Sequence, residues 1–357
     1  MHACSTAERG VSTRWPALQL EELNSLAALY ALRDEWFELW ERCPSATPFQ
    51  SPQWLLTWWT HLGGGELCVL ALRCEGRLVG LAPIFIHHWK GRQQISPLGI
   101  GISDYLDFLL ETEFESAGAR MIFEHLAEQR ARWDVCDFQE LRADSPLLNS
   151  LIPWPLQSSV FNQEGCVVLR LPPTLEAFQA SLSKERRRKH RRAWKRLSAI
   201  GEIQFETANQ QTLPAWMTTL FRLHGARWQE RHEPGVLADD RIQQFHREVA
   251  AQFLPIGCLR LRALRCRDEI VAVLYGFASH GRAYAYLGGF DPELEHASPG
   301  TLLTAHAIEK SILEGLHEYD FLRGAEAHKY AWGARVRPHR RMMLWHATPP
   351  SELRESG

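Results

Sequence analysis

GRAYAYLGGFDPELEHASPGTLLTAHAIEKSILEGLHEYDFLRGAEAHKYAWG, residues 281–333, is the stretch whose reading decides the fold. It reads as strand, loop, helix, strand and polar loop. The first strand, Tyr284 to Phe290, passes through Gly288 and Gly289, and the second, Tyr319 to Leu322, empties into Glu326-Ala327-His328-Lys329-Tyr330. Between them Leu302, Ala305, Ile308, Ile312 and Leu316 recur at three and four residues, so one helix face is apolar and lies on a sheet. That helix opens at Ser298-Pro299-Gly300-Thr301. Serine is a preferred N-cap, proline suits the first helical position, and Gly300 leaves no side chain over the exposed amides. Such an end attracts phosphate oxygens; an ordinary capped crossover helix is the alternative. Gly315 fits the helix end.

At 357 residues the chain is longer than one typical core supports, so two domains are expected. Hydrophobic residues at 45% and charged residues at 23% describe a soluble globular protein and exclude a disordered one. A net charge of −2 names no partner. No apolar run approaches the roughly 18 residues of a membrane span, and the start lacks the apolar core of a signal peptide, so a cytoplasmic location is expected. The eight cysteines form no C-x-x-C pair, which argues against a disulfide framework or a zinc site, and no metal is expected.

Residues 1–17 read as a leader. From Leu18 to Cys43 the apolar residues Leu26, Leu29, Leu32, Trp36, Leu39 and Trp40 predict helix. FQSPQWLLTWW from Phe49 predicts an aromatic helix capped at Ser51-Pro52 and ended by Gly63 to Gly65. Cys68 to Cys74 and Leu78 to Ile86 then read as a hairpin. The same wording returns downstream: ALRC at Ala71 recurs at Ala263, 192 positions later, and that offset also pairs Leu78 with Ile270, Val79 with Val271 and Phe85 with Phe277. Leu98-Gly99 with Asp104 matches Leu287-Gly288 with Asp291, and Asp137-Phe138 matches Asp320-Phe321. The ordered string predicts two copies of one α/β unit.

The second copy begins with the strand CVVLRL at Cys166 and a helix carrying KERRRKHRRAWKR, Lys184 to Arg196, in which nine of thirteen residues are Lys or Arg. Trp194 and Leu197 are the residues expected to pack. A polyanion is the natural partner of such a helix, through Arg188 and Arg192 among others; a solvated, salt-bridged face is the alternative. Further helices are expected over Leu213 to Glu230 and Arg241 to Leu254.

FQSPQWLLTWW, the Ser103-Asp104-Tyr105 run, the arginine-rich helix, YAYLGGFD, SPGTLL and YDFLRGAEAHKYAWG, in this order, resemble the Gcn5-related N-acetyltransferase (GNAT) superfamily in its CelD-like, cellulose-biosynthesis branch. The pairing of two copies resembles the FemAB peptidoglycan aminoacyltransferases. The resemblance implies two tandem GNAT-like units, each a mixed twisted sheet flanked by helices: 18–160 as a degenerate, acceptor-side unit, 161–347 as the donor-binding and catalytic unit, and 348–357 as a tail. It implies acetyl-CoA or another acyl-CoA as co-substrate, bound between two parallel strands that splay apart, with Gly288, Ser298, Gly300 and Thr301 toward the cofactor. FemAB-type enzymes use aminoacyl-tRNA instead. The implied reaction is N- or O-acetylation of a sugar or a cell-envelope or polysaccharide precursor by direct attack on the thioester.

Such transfer needs a base, stabilisation of the carbonyl oxygen and a proton for the leaving group. By resemblance Tyr330 protonates the departing thiolate. Lys329 could stabilise developing negative charge, and Asp320, Glu326 and His328 are the base candidates, His328 with the most convenient ordinary pKa. Arg323 is expected to pair with Asp320 or Glu326. The first copy has no SPGT equivalent and runs into Asp104 and Asp107, which repel phosphate; these two are expected to line the acceptor side of a cleft, turn capping being the alternative. A protein that only binds nucleic acid through the basic helix is the competing class.

Overall fold

The computed structural model describes residues 18–229 and 235–349, so the predicted leader and residues 350–357 of the tail lie outside the described residues. The chain opens with strand β1 (Leu18–Leu23), helices α1 (Leu26–Ala31), α2 (Arg33–Arg42) and α3 (Pro52–Leu62), and the short strand β2 (Glu66–Leu67). Strands β3 (Val69–Cys74), β4 (Arg77–Ala82), β5 (Ile84–Trp89), β6 (Arg92–Pro97) and β7 (Leu109–Leu110), helix α4 (Glu115–Glu128) and strand β8 (Val135–Arg142) complete a first unit. The second contains β9 (Gln157–Arg170), α5 (Leu175–Ser181), α6 (Lys184–Ile200), β10 (Ile203–Thr207), α7 (Leu213–Gln229) and α8 (Asp240–Phe253). It continues through β11 (Leu259–Cys266), β12 (Glu269–Ser279), β13 (Arg282–Phe290), α9 (Pro299–Leu313), β14 (Glu318–Arg323) and α10 (Ala327–Tyr330) to the last strand, β15 (Arg335–Trp345).

Leu18 to Leu23 is a strand, not the start of the predicted helix. Its residues alternate Leu, Gln, Leu, Glu, a period-two pattern, and pair antiparallel with β3 from Leu18↔Cys74 to Leu23↔Val69. The helix begins only after Ser25, whose hydroxyl accepts from Ala28 N.

The repeat read from the sequence is a repeat of hydrogen-bond register. Gln19↔Arg73 and Glu21↔Ala71 in the first unit match Gln204↔Arg265 and Glu206↔Ala263 in the second. Leu72↔Gly80 and Arg73↔Leu78 match Leu264↔Ala272 and Arg265↔Ile270, with the same bulge between Leu72 and Arg73 as between Leu264 and Arg265. The ion pairs repeat as well, Arg73 with Glu21 and Arg265 with Glu206. The copies differ at Pro83, which has no N–H for a ladder and separates β4 from β5, where β12 runs unbroken.

The strands form an eleven-stranded sheet, β10-β11-β12-β13-β14-β9-β15-β8-β6-β5-β2, beside a four-stranded one, β1-β3-β4-β7. At the centre β9 and β15 pair antiparallel with each other, β9 also with β14 and β15 also with β8. The order outward from the centre is therefore equivalent on the two sides. The boundary expected between 160 and 161 falls inside β9, and β15, expected in the second unit, completes the ladder of the first. The units also share one aromatic core: Trp54 of α3 packs at 4.9 Å from Phe49 and 4.9 Å from Phe245, and 5.7 Å from Phe277. Buried rings of this kind contribute heavily to core energetics, so part of each unit's core is supplied by the other.

Candidate active site

Strands β13 and β14 run parallel but pair at only three positions, Arg282↔Glu318, Ala283↔Tyr319 and Tyr284↔Asp320, and then part. Each strand carries an irregularity just beyond the last pair. The register of β12 with β13 jumps from Gly276↔Ala285 to Tyr275↔Leu287, which leaves Tyr286 as a bulged residue. The register of β14 with β9 shifts between Asp320 and Arg323, where Leu322 sits at φ 60° and its N–H donates to Asp320 Oδ1 at 2.8 Å. Bulges bend strands and raise twist, so the two together open a fork. Ala285 to Gly288 on one side and Arg323 and Gly324 on the other are only half-buried.

The first unit has the same fork in closed form. β6 and β8 pair parallel at Gln94↔Val135 and Ile95↔Cys136 and then part, and Glu140 takes φ 53°. Here the chain after β6 returns to β8, Leu106 N–H donates to Glu140 O at 3.2 Å, and residues 103–110 are buried. The first fork is filled by its own polypeptide.

That filling segment also closes one side of the open fork. Tyr286 on β13 donates its hydroxyl to Ile102 O at 2.7 Å, while Arg323 on β14 donates to Ser103 O at 3.2 Å, to Glu140 at 2.7 Å and to the Asp104 carboxylate. Asp104 and Asp107 therefore do not line an open cleft as expected. Both are buried in ion pairs, Asp107 accepting from Arg142 N at 3.0 Å and Nε at 3.3 Å. Burial raises both carboxyl pKa values, and the neighbouring guanidinium works against it in each case. Arg323 pairs across the units rather than with Asp320 or Glu326, because Leu322 in its left-handed conformation turns the strand end toward the first unit.

Asp320 is the last paired residue of the fork and is fully buried. It accepts from Tyr105 OH at 2.5 Å, with Arg337 at 3.7 Å, and burial pushes its carboxyl up to about 6 against the lowering effect of those bonds. Its counterpart Asp137 is held by Arg341, so β15 supplies an arginine to the equivalent aspartate of each copy.

Beyond the fork, Ala327 to Tyr330 form the short helix α10, with Glu326 at its N-cap, rather than a loop. Lys329 is buried, donates to Leu322 O at 3.4 Å and to Arg323 O, and pairs with Glu326 at 2.9 Å. It ties down the strand end. The Glu326 carboxyl is held below its ordinary value: desolvation, the largest single effect, raises it, but the hydrogen bond and charge of Lys329 together with its own backbone N–H and His328 lower it by more. His328 and Tyr330 are exposed on the same turn.

Across the fork, Gly288 O accepts from His224 Nδ1 at 3.1 Å, and Gly289 packs so closely on α7 that an added Cβ would lie 2.6 Å from His224 N. The α9 N-terminus follows, with Gly300 against the Phe290 ring. Ser298 departs from the expected cap. It takes φ 53° to turn the chain out of the 3-10 segment Pro292–Ala297, its hydroxyl faces Glu295 O at 3.4 Å, and it caps nothing with its side chain. Its carbonyl accepts from Thr301 N at 3.1 Å.

Helix α6 lies beside α9. Its packed stripe is Arg186, Ala193 and Leu197, not Trp194, which is 45% exposed; Arg188 and Arg192 face solvent. Arg186 stacks over the Trp332 ring at 3.4 Å, and Arg196 donates to His296 O at 2.7 Å, just before α9. Tyr105, Tyr286 and His224 carry no sequence signal of their own as site residues, since each acquires its place from a partner more than sixty positions away.

Residues 184–330 match the model of the acetyltransferase (GNAT) domain family. The whole architecture is similar to FemX (12% identity, 86% of this chain and 95% of that one, TM-score 0.61). It is also similar to the C-terminal domain of a putative lysylphosphatidylglycerol synthetase from Agrobacterium fabrum (13%, 89% and 92%, 0.53) and to L-PGS from Bacillus licheniformis (11%, 84% and 89%, 0.51). No curated protein matches by sequence. The chain thus carries a GNAT acyltransferase fold in a two-unit arrangement, and at these identities the likeness is one of fold.

Proposed function

We propose that the protein is an acyltransferase that takes an acyl thioester, acetyl-CoA in the simplest case, into the fork between β13 and β14 and passes the acyl group to an amine or hydroxyl. The observation that carries this reading is the asymmetry of the two forks. The shared scaffold parts the strands in both units, but among the described residues only the first bonds its own following segment to the parted strand, whereas the second parts next to a helix N-terminus that draws phosphate oxygens. The acceptor's lone pair attacks the thioester carbon and its proton passes to His328. The tetrahedral oxygen is stabilised by backbone amides at the Tyr286 bulge, and the departing thiolate takes the proton of Tyr330. Glu326, held ionised by Lys329, is a weak base, and Lys329 acts by fixing the corner that presents His328 and Tyr330. A sugar or a cell-envelope or polysaccharide precursor is the acceptor class we favour, facing the segment Gly99 to Asp104 of the first unit. The cations of α6 favour one second reading, a FemAB-like enzyme with aminoacyl-tRNA as donor.

Titration of the full chain with acetyl-CoA tests the donor site. Gly300→Asp puts a carboxylate in the first turn of α9 and should weaken binding about tenfold, whereas Gly300→Ala, whose Cβ would meet the Phe290 ring at 3.3 Å, should stay within about twofold. Equal affinity of Gly300→Asp and the parent would refute the placement of the phosphates.

A further inference from the structure

The outward face of α6 is exposed over most of its length. Ala193 and Leu197 point into the core, while Arg191, Arg192 and Lys195 are exposed and have no carboxylate partner among the described residues; Glu185 draws the charges of Lys189, at 2.9 Å, and Arg188. Trp194 stands among these cations at 45% exposure, and it is held in place. Its ring stacks on Phe205 of β10 (centroids 6.3 Å, planes 21°), and Phe205 stacks on His306 of α9 (4.2 Å, 10°). An exposed indole that is backed by two further rings, with Arg191 one turn before it on the same helix face, combines a stacking surface with a phosphate partner, the two elements of nucleotide binding that tolerate any base. Membrane docking would need several apolar side chains directed outward on the helix, and α6 offers Trp194 alone.

We propose that Trp194, with Arg191 one turn before it and the adjoining Lys195, forms a platform for a nucleotide moiety, the indole stacking on the base and the cations meeting the phosphates. His306, which ends the ring stack, is seven residues into α9 from Pro299, about 10 Å along the helix axis. A ligand with its pyrophosphate at the start of α9 can therefore lay its nucleoside on Trp194. The choice of probe rests on the donor reading above. The shared chemistry, a base with several phosphates, is present both in the adenosine end of CoA and in the single-stranded end of an RNA.

The test uses the full chain and isothermal titration with CoA, adenosine 3′,5′-bisphosphate, pantetheine and a short single-stranded RNA, each at low and high salt. Trp194→Ala should weaken CoA and the bisphosphate about tenfold, with Trp194→Phe recovering most of the loss. Arg191→Gln should lower the salt dependence by about one, the phosphate contact it removes. Pantetheine, which lacks the nucleotide, should bind every variant alike. An effect confined to the RNA assigns the platform to a polynucleotide; one seen with CoA and the bisphosphate assigns it to the donor. Parent-like binding of all nucleotides by both variants overturns the platform. The two readings fail separately: a Trp194 effect without a Gly300→Asp effect rejects the donor placement alone, and the reverse rejects the platform alone.

Discussion

Arg323→Met removes the cation that joins the end of β14 to the first unit. The guanidinium serves Asp104, Glu140 at 2.7 Å and Ser103 O at 3.2 Å, and both carboxylates are buried, with 8% and 5% of their residues exposed. Glu140 keeps His339, whose Nδ1 lies at 3.2 Å; Asp104 loses the only cation it is paired with among the described residues. Breaking a buried pair from one side costs about 3–5 kcal/mol, and because a third of the Arg323 side chain reaches solvent the low end applies, about 3 kcal/mol. Against a total stability of about 5–15 kcal/mol this is a large fraction. Urea unfolding followed by tryptophan fluorescence would measure it, with 14 tryptophans as reporters. Because the cost is that of a stranded carboxylate, Arg323→Met with Asp104→Leu should recover at least about 1.5 kcal/mol relative to additivity. A loss below about 0.5 kcal/mol, or additive single variants, would refute the claim that this cluster clamps the units together. The same variant should raise the acceptor KM more than it lowers kcat, since the segment it releases walls the fork.

Three further outcomes follow from the geometry. Tyr330→Phe should cut kcat at least tenfold and leave the unfolding midpoint alone, whereas Lys329→Ala should lower stability as well as turnover, because its Nζ holds two strand carbonyls; rates and melting temperature measured together separate proton donor from positioning residue. Asp320 has a folded pKa raised from 3.8 to about 6, so its stability contribution is fully present below pH 3.8 and lost as pH rises through about 6; denaturation at pH 5 and pH 7 should show Asp320→Asn gaining relative to the parent at the higher pH, and a constant difference would contradict the assignment. Gly289→Ala should destabilise by about 1–3 kcal/mol, since the new Cβ meets α7 backbone at 2.6 Å, while Gly288→Ala, with its nearest neighbour at 3.4 Å, should be close to neutral; equal effects in thermal melts would show that β13 does not press on α7 as described.

The duplication and the strand, helix and strand of 281–333 were legible because they depend on local periodicity and on a repeated register; the parting of β13 and β14 was expected only from the family resemblance, and that of β6 and β8 was not foreseen. ALRC at Ala71 and Ala263 marks the same bulged hairpin twice, and a bulge needs only its own two strands. The alternation of Leu18 to Leu23 was equally local but is short, and the longer helical pattern after it masked it.

The chemical environment of single side chains was not legible. Asp104 and Asp107 looked available for a ligand, and Lys329 looked like a free charge, because a sequence shows ionisable groups without their partners. Those partners are Arg323, Arg142 and the carbonyls of Leu322 and Arg323, brought close by folding one unit onto the other. Trp194 failed in the opposite direction, counted as core while it lies exposed on a ring stack. The sequence by itself determined the α/β class and the two copies, since backbone propensity and hydrophobic period act over a few residues. Only the tertiary structure decided which fork stays open, which charges are spent on each other and which remain for a ligand, because burial and pairing are properties of two surfaces meeting.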